Sequence, residues 1–253
     1  MKIYVWFSVV LGMACANAIA DPLAQLQAEL LDLSQPREAN YLVSVMTKQL
    51  NGKGDDQIVR RGEAGVQVYD DGENLSVVYS AALLATMASE EQARLSNKDA
   101  PTPAIDGVRE LTLLPLRSAI NAAEQMQRVM AEAENIAAYQ DTYNDKQARR
   151  LDFRLPESRL SKGQRKYIKS FQGIYSVWVD QNGTPLASRS RVDASGRVFI
   201  FIRFHIETES KQHYQVVNGQ LITASEDYFH LSHGAGERYE HSLQRTVQPM
   251  QME

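Results

Sequence analysis

Histidines are the residues of this chain that first suggest a reaction centre, because imidazole binds metals and transfers protons near neutral pH. All five lie within the last fifty residues: His205, His213, His230, His233 and His241. The segment "HLSHGAGERYEH" adds the carboxylates Glu237 and Glu240. His230 and His233, however, are three apart in a strand or turn, so they need not point the same way, and no zinc-protease motif occurs. Surface histidines are the simpler interpretation; a metal-dependent hydrolase is a remote alternative, and we expect no cofactor.

Motifs for nucleophilic catalysis and phosphate binding do not occur either. The chain has no G-x-S-x-G elbow, and Ser232 stands between two strand-like segments instead of at a strand-to-helix turn. Asp70 and Asp71 occupy a turn, where aspartate is expected for backbone reasons, and "DDGEN" does not have the ligand spacing of a calcium loop. We therefore predict no catalytic residue and expect a protein that is not an enzyme.

The first twenty residues have the pattern of a cleaved signal peptide. Lys2 supplies the positive charge, residues 3–14 are apolar, and Ala18-Ile19-Ala20 matches the small-x-small pattern of a cleavage site. Cleavage after Ala20 removes the only cysteine, Cys15, and we expect the mature chain in the periplasm. Anchoring as a lipoprotein at Cys15 is less favoured, because that processing prefers a branched apolar residue where Gly12 stands.

Composition is consistent with one soluble-type domain and argues against nucleic acid as the partner. The chain has 27 basic and 31 acidic residues, a net charge of −4, so it has no overall positive charge to attract a phosphate backbone. Residues 21–253 are enough for a single α+β domain with a large core.

Hydrophobic periodicity predicts helices before and between strands, and a sheet in the second half. "DPLAQLQAELLDL" is typical of a helix, with Asp21 as N-cap and Pro22 at its first position. "NYLVSVMTKQL" is apolar on both sides and predicts a strand covered on both faces. Residues 81–139 predict a helical insert, whose longest helix carries one apolar stripe: Leu116, Ile120, Ala123, Met126, Met130, Ala133 and Ala137. From residue 147 onward, strands joined by tight turns predict an antiparallel meander.

The segment "GIYSVWVDQNGTPLASRS", residues 173–190, is the clearest hairpin of the meander. A two-residue turn at Asn182-Gly183 predicts these facing pairs: Val179 with Leu186, Trp178 with Ala187, and Val177 with Ser188. One face is then an apolar core face. The other carries Trp178 with Arg189 and Arg191, close enough for an arginine to stack on the indole ring.

The segment "LSKGQRKYIKSFQG" mixes cations with aromatic residues. Its basic residues are Lys162, Arg165, Lys166 and Lys169, and its aromatic residues are Tyr167 and Phe171. Two interpretations stay open: contact with anionic lipid headgroups, or a solvated edge strand protected by lysines, which is the more economical explanation.

The stretch from Val177 to Leu186, "VWVDQNGTPL", resembles a hairpin of the LolA, LolB and RseB-like periplasmic lipoprotein-carrier superfamily. The strand "ARRLDFRL" from Ala148 to Leu155 and the order of predicted elements are similar too. The resemblance implies a strongly curved, incompletely closed antiparallel β-sheet, a half-barrel, with helices packed on its concave side. It also implies an apolar cavity between sheet and helices that accepts acyl chains, without a fixed set of ligand residues.

Two functions follow as expectations. The leading one is a non-enzymatic carrier or sensor that binds a lipid, an acyl chain or an acylated protein in the apolar cavity. Strand alternation alone suggests residues that line it: Tyr41, Val43, Val45, Val66, Val68, Val77, Tyr79, Tyr175, Val177 and Val179. The alternative is a periplasmic protein–protein interaction module of the same fold with a filled core, which would use the surface patch of Trp178, Arg189 and Arg191. Contact with a membrane surface is compatible with both functions.

Overall fold

The computed structural model describes residues 21–53, 56–198 and 202–250. They form a mixed α+β structure with a ten-stranded antiparallel sheet, six α-helices and one turn of 3-10 helix at Glu157–Arg159. The helices are α1 (Pro22–Leu33), α2 (Ala81–Ser96), α3 (Pro103–Val108), α4 (Leu113–Ile120), α5 (Ala122–Glu132) and α6 (Lys162–Arg165). The strands are β1 (Ala39–Lys53), β2 (Asp56–Asp70), β3 (Leu75–Val78), β4 (Glu134–Tyr143), β5 (Lys146–Arg154), β6 (Ile168–Val179), β7 (Pro185–Val198), β8 (Ile202–Val217), β9 (Gln220–Gly234) and β10 (Glu237–Met250).

The expected signal peptide, residues 1–20, lies outside the described residues, and so does Cys15. The first described helix has the predicted start, since Asp21 Oδ1 accepts a hydrogen bond from Leu23 N at 3.1 Å and Pro22 opens the helix. Among the helices that the structure describes, none is long and apolar enough to cross a bilayer.

The sheet is an open meander with one long-range joint. Its strand order is β3-β2-β1-β10-β9-β8-β7-β6-β5-β4, and neighbouring strands are antiparallel. Strands β4 to β10 follow one another in sequence and in space, which confirms the predicted meander. The joint is the pairing of β1 with β10, in which Val43 faces Val247. β3 and β4 lie at the two edges and do not pair with each other in the described residues, so the sheet is not closed.

The turn at Asn182-Gly183 is one residue longer than predicted. Asp180 N donates to Thr184 O at 3.0 Å and Gly183 N donates to Asp180 O at 3.3 Å, which gives a three-residue loop with Gly183 at φ +97°. The extra residue shifts the register locally, so Val179 faces Pro185 instead of the next residue. The other two pairs are as predicted: Trp178 with Ala187, and Val177 with Ser188.

The helical insert is interrupted and shorter than predicted. α4 ends at Ile120 and α5 begins at Ala122, because Asn121 leaves the helical conformation (φ −121°, ψ 65°) and its side chain caps Glu124 N. The continuous helix expected through residue 139 is therefore wrong. Residues 134–143 form β4 and pair with β5, so sheet pairing overrides the helix propensity of this alanine-containing segment.

Four helices, α1, α3, α4 and α5, pack against one face of the sheet. On that face a row of directly opposed residues crosses seven strands, from β1 through β10 to β5: Val45, Arg245, Glu226, Gln212, Ser188, Val177 and Leu151. Directly opposed residues of antiparallel strands point to the same side, so these seven side chains share one face. The row is apolar at both ends and polar across the four residues in the middle.

Two hydrophobic clusters cover the apolar ends of this face. The β1 cluster joins β1 and β2 to α4 and contains, among others, Tyr41, Val43, Val45, Val66, Val68, Leu116, Ala119 and Ile120. The β6 cluster joins β5 and β6 to α1 and α5 and contains, among others, Leu26, Leu30, Met126, Leu151, Phe153, Tyr175, Val177 and Val179.

The opposite face of β1 is open to solvent, contrary to the prediction of a strand covered on both faces. Leu42 is 38% exposed and Met46 is 54% exposed. The apolar residues on both sides of this strand do not distinguish a doubly covered strand from one that leaves two large side chains in water.

Candidate ligand-binding cleft

Two adjoining cavities lie between the α4–α5 helices and the sheet, and we call them together the cleft. Their volumes are about 220 and 290 Å³. Five residues line both cavities: Ser118, Gln125, Gln212, Glu226 and Tyr228. The smaller cavity extends along β7 and β8 towards Tyr175, and the larger one extends along β10 towards His241. The cleft therefore lies over the polar middle of the sheet, between the β1 cluster and the β6 cluster.

A buried ion pair forms the floor of the cleft. Arg245 of β10 faces Glu226 of β9, with Nη1 and Oε2 2.6 Å apart and side chains that are only 9% and 13% exposed. Glu226 Oε1 also accepts hydrogen bonds from Gln212 Nε2 at 3.1 Å and from Ser210 Oγ at 3.2 Å. A buried ion pair is tolerated when such bonds satisfy its remaining lone pairs. These contacts hold the carboxylate in a fixed position across β8, β9 and β10.

Hydroxyl groups line the smaller cavity. Tyr214 donates to Gln212 Oε1 at 2.8 Å, and its hydroxyl oxygen lies 2.6 Å from Ser188 Oγ. Burial raises the pKa of Tyr175 and raises the pKa of Tyr214 well above its ordinary value. Both phenols therefore stay neutral at physiological pH and serve as hydrogen-bonding groups, not as bases.

The cleft combines this polar floor with an apolar roof. Side chains of the helices and of β10 provide the apolar surface: Ala119, Ala122, Met126, Val129 and Leu243. On the floor, Arg245 Nη2 donates to Glu110 O at 3.5 Å, while the buried Arg245 Nε has no hydrogen-bond partner among the described residues. The cleft is therefore amphipathic, with a buried ion pair below and apolar helix residues above.

Two of the five histidines lie on the helical face of the sheet, and one of them, His241, lines the larger cavity. His241 Nε2 is 2.8 Å from Thr47 Oγ1 and 3.4 Å from Glu110 Oε1, and His230 faces His241 across β9 and β10. Burial lowers the pKa of His230, and the charge of the neighbouring His241 lowers it further. The other three lie on the opposite face of the sheet: His205, His213 and His233. In the described part of the chain, no three side chains of the metal-ligating types meet in an arrangement that could hold a metal ion.

The apolar residues predicted to line a cavity are mostly in the two clusters beside the cleft. Eight of the ten are buried: Tyr41, Val43, Val45, Val66, Val68, Tyr175, Val177 and Val179. Val77 is half-buried, and Tyr79 is 36% exposed. Of the ten, Tyr175 lines the cleft. The others on the helical face pack against the protein's own helix residues, such as Leu116 and Leu30.

The predicted surface patch lies on the opposite face, but without the expected stacking. Trp178 Nε1 donates to Asp141 Oδ2 at 3.0 Å, and the Trp178 ring lies 6.5 Å from the ring of Tyr143. The two arginines pair with carboxylates of β8 instead: Arg189 with Glu209, and Arg191 with Glu207. Charge-assisted bonds to a neighbouring strand replace the predicted arginine–indole contact among the described residues.

Sequence reasoning missed the polar floor of the cleft. One signal was present in β10, where Leu243, Arg245 and Val247 alternate and all three are buried, so a charged residue stands in an inward-facing apolar series. In β8 both alternating sets of residues are polar around Gln212, and alternation alone does not show which set faces inward.

Comparison with known proteins gives no match, either to a protein-family model or to a curated protein. The cleft is therefore interpreted from its own residues, and the family resemblance depends on the hairpin from Val177 to Leu186 and on the order of elements.

Proposed function

We propose that this chain is a non-enzymatic periplasmic binding protein, a carrier or sensor, and that it holds an amphiphile in the cleft. The amphiphile is a lipid, an acyl chain or the acylated end of a protein, as the resemblance to the LolA, LolB and RseB-like superfamily implies. In this proposal the sheet is a strongly curved half-barrel with the helices on its concave side. The observation that carries it is an amphipathic cleft between two apolar clusters on one face of an open sheet.

The polar groups of the cleft are suited to the head of such a molecule. Ser118 and Gln125 line both cavities and Ser190 lines the smaller one, and their hydroxyl and amide groups can donate hydrogen bonds. A carboxylate, ester or phosphate oxygen could accept from these groups in a site of low dielectric constant, where a hydrogen bond is stronger than in water.

The roof is suited to the apolar part. Met126 and Val129 of α5 and Ala119 of α4 face the cleft, and each buried methylene group contributes about 0.8 kcal/mol. A chain too long for the cleft reaches the predicted lining residues of the two clusters only if α4 or α5 moves away from the sheet. The proposal therefore includes displacement of these helices by a long acyl chain.

The test is to identify the ligand and then block the cleft. Native mass spectrometry of the mature chain purified from its own cell envelope, followed by solvent extraction, should show an acyl-chain species at near-stoichiometric amount. Ser118 lines both cavities, so Ser118→Trp should weaken binding of a fluorescent fatty acid at least about tenfold. Ser89→Trp on the exposed side of α2 is the matched control.

Two results would contradict the proposal. One is an apo mass together with no binding of the fluorescent fatty acid. The other is a folded Ser118→Trp variant that binds the probe as tightly as the Ser89→Trp variant, since the cleft would then not be the site.

The second candidate function is the interaction module, and the aromatic group on the opposite face favours it. Tyr139 is 48% exposed, and the rings of Tyr143 and His213 lie 5.8 Å apart next to Trp178. A photo-crosslinking residue at Tyr139 should then capture a defined partner that is lost in Trp178→Ala. Tyr79 is a control position of similar exposure, and equal capture there would contradict a specific interface.

A further inference from the structure

A group of basic residues lies at one end of the sheet, where α6 and the start of β6 meet the hairpin formed by β7 and β8. Arg197 N donates to Tyr167 O at 3.0 Å, and Ile168 pairs with Gly196, which joins the two segments. We call the six cations of these segments the basic end: Lys162, Arg165, Lys166, Lys169, Arg197 and Arg203. The first segment has no acidic residue between Glu157 and Asp180, and the second has none between Asp193 and Glu207.

Two of these cations directly face each other. Arg197 of β7 pairs with Arg203 of β8, and like charges at directly opposed positions destabilise a sheet. Lys169 lines the same cavity of about 440 Å³ as both arginines. All three side chains are exposed. The chain therefore places three positive charges around one concave surface.

The fold supplies carboxylate partners elsewhere on the same strands but not here. Further along β7, Arg189 and Arg191 form ion pairs with β8. At the basic end, no acidic side chain of the described residues lies within 4 Å of any of the six cations. The nearest carboxylate along β7, that of Asp193, lies 3.5 Å from His205. An external anion is the partner that this arrangement lacks.

Apolar residues accompany the charges. Val198 and Ile202 face each other next to the arginine pair, and Ile202 is 38% exposed. Tyr167 is half-buried between the lysines of α6 and β6, with Lys166 Nζ 5.6 Å from the centre of its ring.

Protection of a sheet edge accounts for Lys169 but not for the other cations. β6 pairs with β5 only from Ile174 to Val179, so the segment from Ile168 to Gly173 pairs with β7 alone and is a local edge. Lys162, Arg165 and Lys166 precede β6, and Arg197 and Arg203 pair with each other on β7 and β8, so these five cations need another explanation.

We propose that the basic end docks on the surface of an anionic phospholipid bilayer. Its lysines and arginines contact lipid phosphates, and the apolar pair Val198 and Ile202 lies at the boundary between headgroups and acyl chains. A soluble anion would account for the charges alone, whereas a bilayer accounts for the charges and for the exposed Ile202 together. This inference does not depend on what the cleft binds.

The test is sedimentation of the mature chain with vesicles. Binding is expected to vesicles with about 30 mol% phosphatidylglycerol and not to pure phosphatidylcholine, and about 0.5 M salt should weaken it. Each basic residue near such a surface strengthens binding about fivefold, so Lys169→Ala/Arg197→Ala/Arg203→Ala should lower the partition coefficient roughly a hundredfold. Arg60→Ala/Arg61→Ala/Arg94→Ala is the matched control, since it removes three exposed cations from a different surface.

Further variants separate docking from misfolding and from soluble-anion binding. Arg203→Gln removes a like-charge contact, so thermal unfolding should show unchanged or higher stability while vesicle binding falls about fivefold. Ile202→Ser should weaken vesicle binding without changing the salt dependence. Equal losses in the test and control triple variants would overturn the inference. So would saturation of the basic end by inorganic phosphate with no increase in binding to anionic vesicles.

Discussion

The helical face of the sheet has two kinds of region that differ in what holds them together. At β1–β2 and β5–β6 the face is apolar and is closed by leucines and alanines of the helices. Across β7–β10 the same rows carry Arg245, Glu226, Gln212 and Ser188, and the helices leave a cleft above them. A single sheet thus uses hydrophobic packing at its flanks and a hydrogen-bonded polar network in its middle.

The comparison suggests different roles for the two regions. Burial of large aliphatic side chains at the flanks provides most of the stability, because apolar area removed from water is the dominant favourable contribution to folding. A buried ion pair contributes little net stability compared with apolar residues of the same shape. The polar middle is therefore explained better by binding than by stability, and the predictions below test that difference.

The largest expected effect is that of Glu226→Leu. It leaves Arg245 buried without its carboxylate and should lower the free energy of unfolding by about 3–5 kcal/mol, measured by urea denaturation. The double variant Glu226→Leu/Arg245→Met should recover most of that loss while it abolishes binding of the fluorescent fatty acid. A double variant that binds normally would show that the polar network is structural only.

A smaller effect is expected at the flank. Val177 is fully buried in the β6 cluster, and Val177→Ala should lower the free energy of unfolding by about 2 kcal/mol through lost burial and a residual cavity. Binding of a fatty acid probe short enough to fit in the cleft should be unchanged, because Val177 does not line the cleft. Weaker binding, corrected for the unfolded fraction, would place this residue in the ligand site and remove the distinction between flank and middle.

The smallest expected effects are the changes in stability when each of two buried tyrosines is replaced by phenylalanine. Tyr41 Oη is buried without a hydrogen-bond partner among the described residues, so Tyr41→Phe should be neutral or stabilising by about 1 kcal/mol. Tyr214 is hydrogen bonded in the cleft, so Tyr214→Phe should instead destabilise by about 1 kcal/mol. Thermal unfolding of both variants gives the comparison, and effects of the same sign would contradict it.

The buried phenol of Tyr41 also predicts how the stability of the fold depends on alkaline pH. Burial raises the pKa of Tyr41 to about 12, whereas the phenol in the unfolded chain ionises near 10. The unfolded state therefore releases this proton first, and the fold loses stability relative to the unfolded chain as pH rises from about 10 to about 12. Tyr41→Phe should reduce that alkaline loss of stability, and an unchanged pH profile would contradict the assignment.

Local signals in the sequence predicted local structure well. The start of α1 was predicted correctly, with Asp21 as its N-cap and Pro22 at its first position. The facing of Trp178 and Ala187 was also predicted correctly. In both places a few neighbouring residues determine the geometry.

Features that depend on distant strands were not predictable in the same way. Residues 134–143 have alanines that favour a helix, and only their pairing with β5 makes them a strand. The inward direction of Gln212 depends on its position opposite Ser188 and Glu226, residues of two other strands. The candidate site was therefore missed because its polar residues meet only after the meander has formed.

The joint between β1 and β10 has a consequence for the order of folding. Thr47 and His241, which contact each other across this joint, are 194 residues apart in the sequence. The hairpin of β1 and β2 and the meander from β4 to β9 can each form from near neighbours, but closing so long a loop is slow and entropically costly. β10 carries Arg245 and is the strand that connects the two parts. A nascent chain that has not yet released its last strand therefore has two separate sheets and no complete cleft.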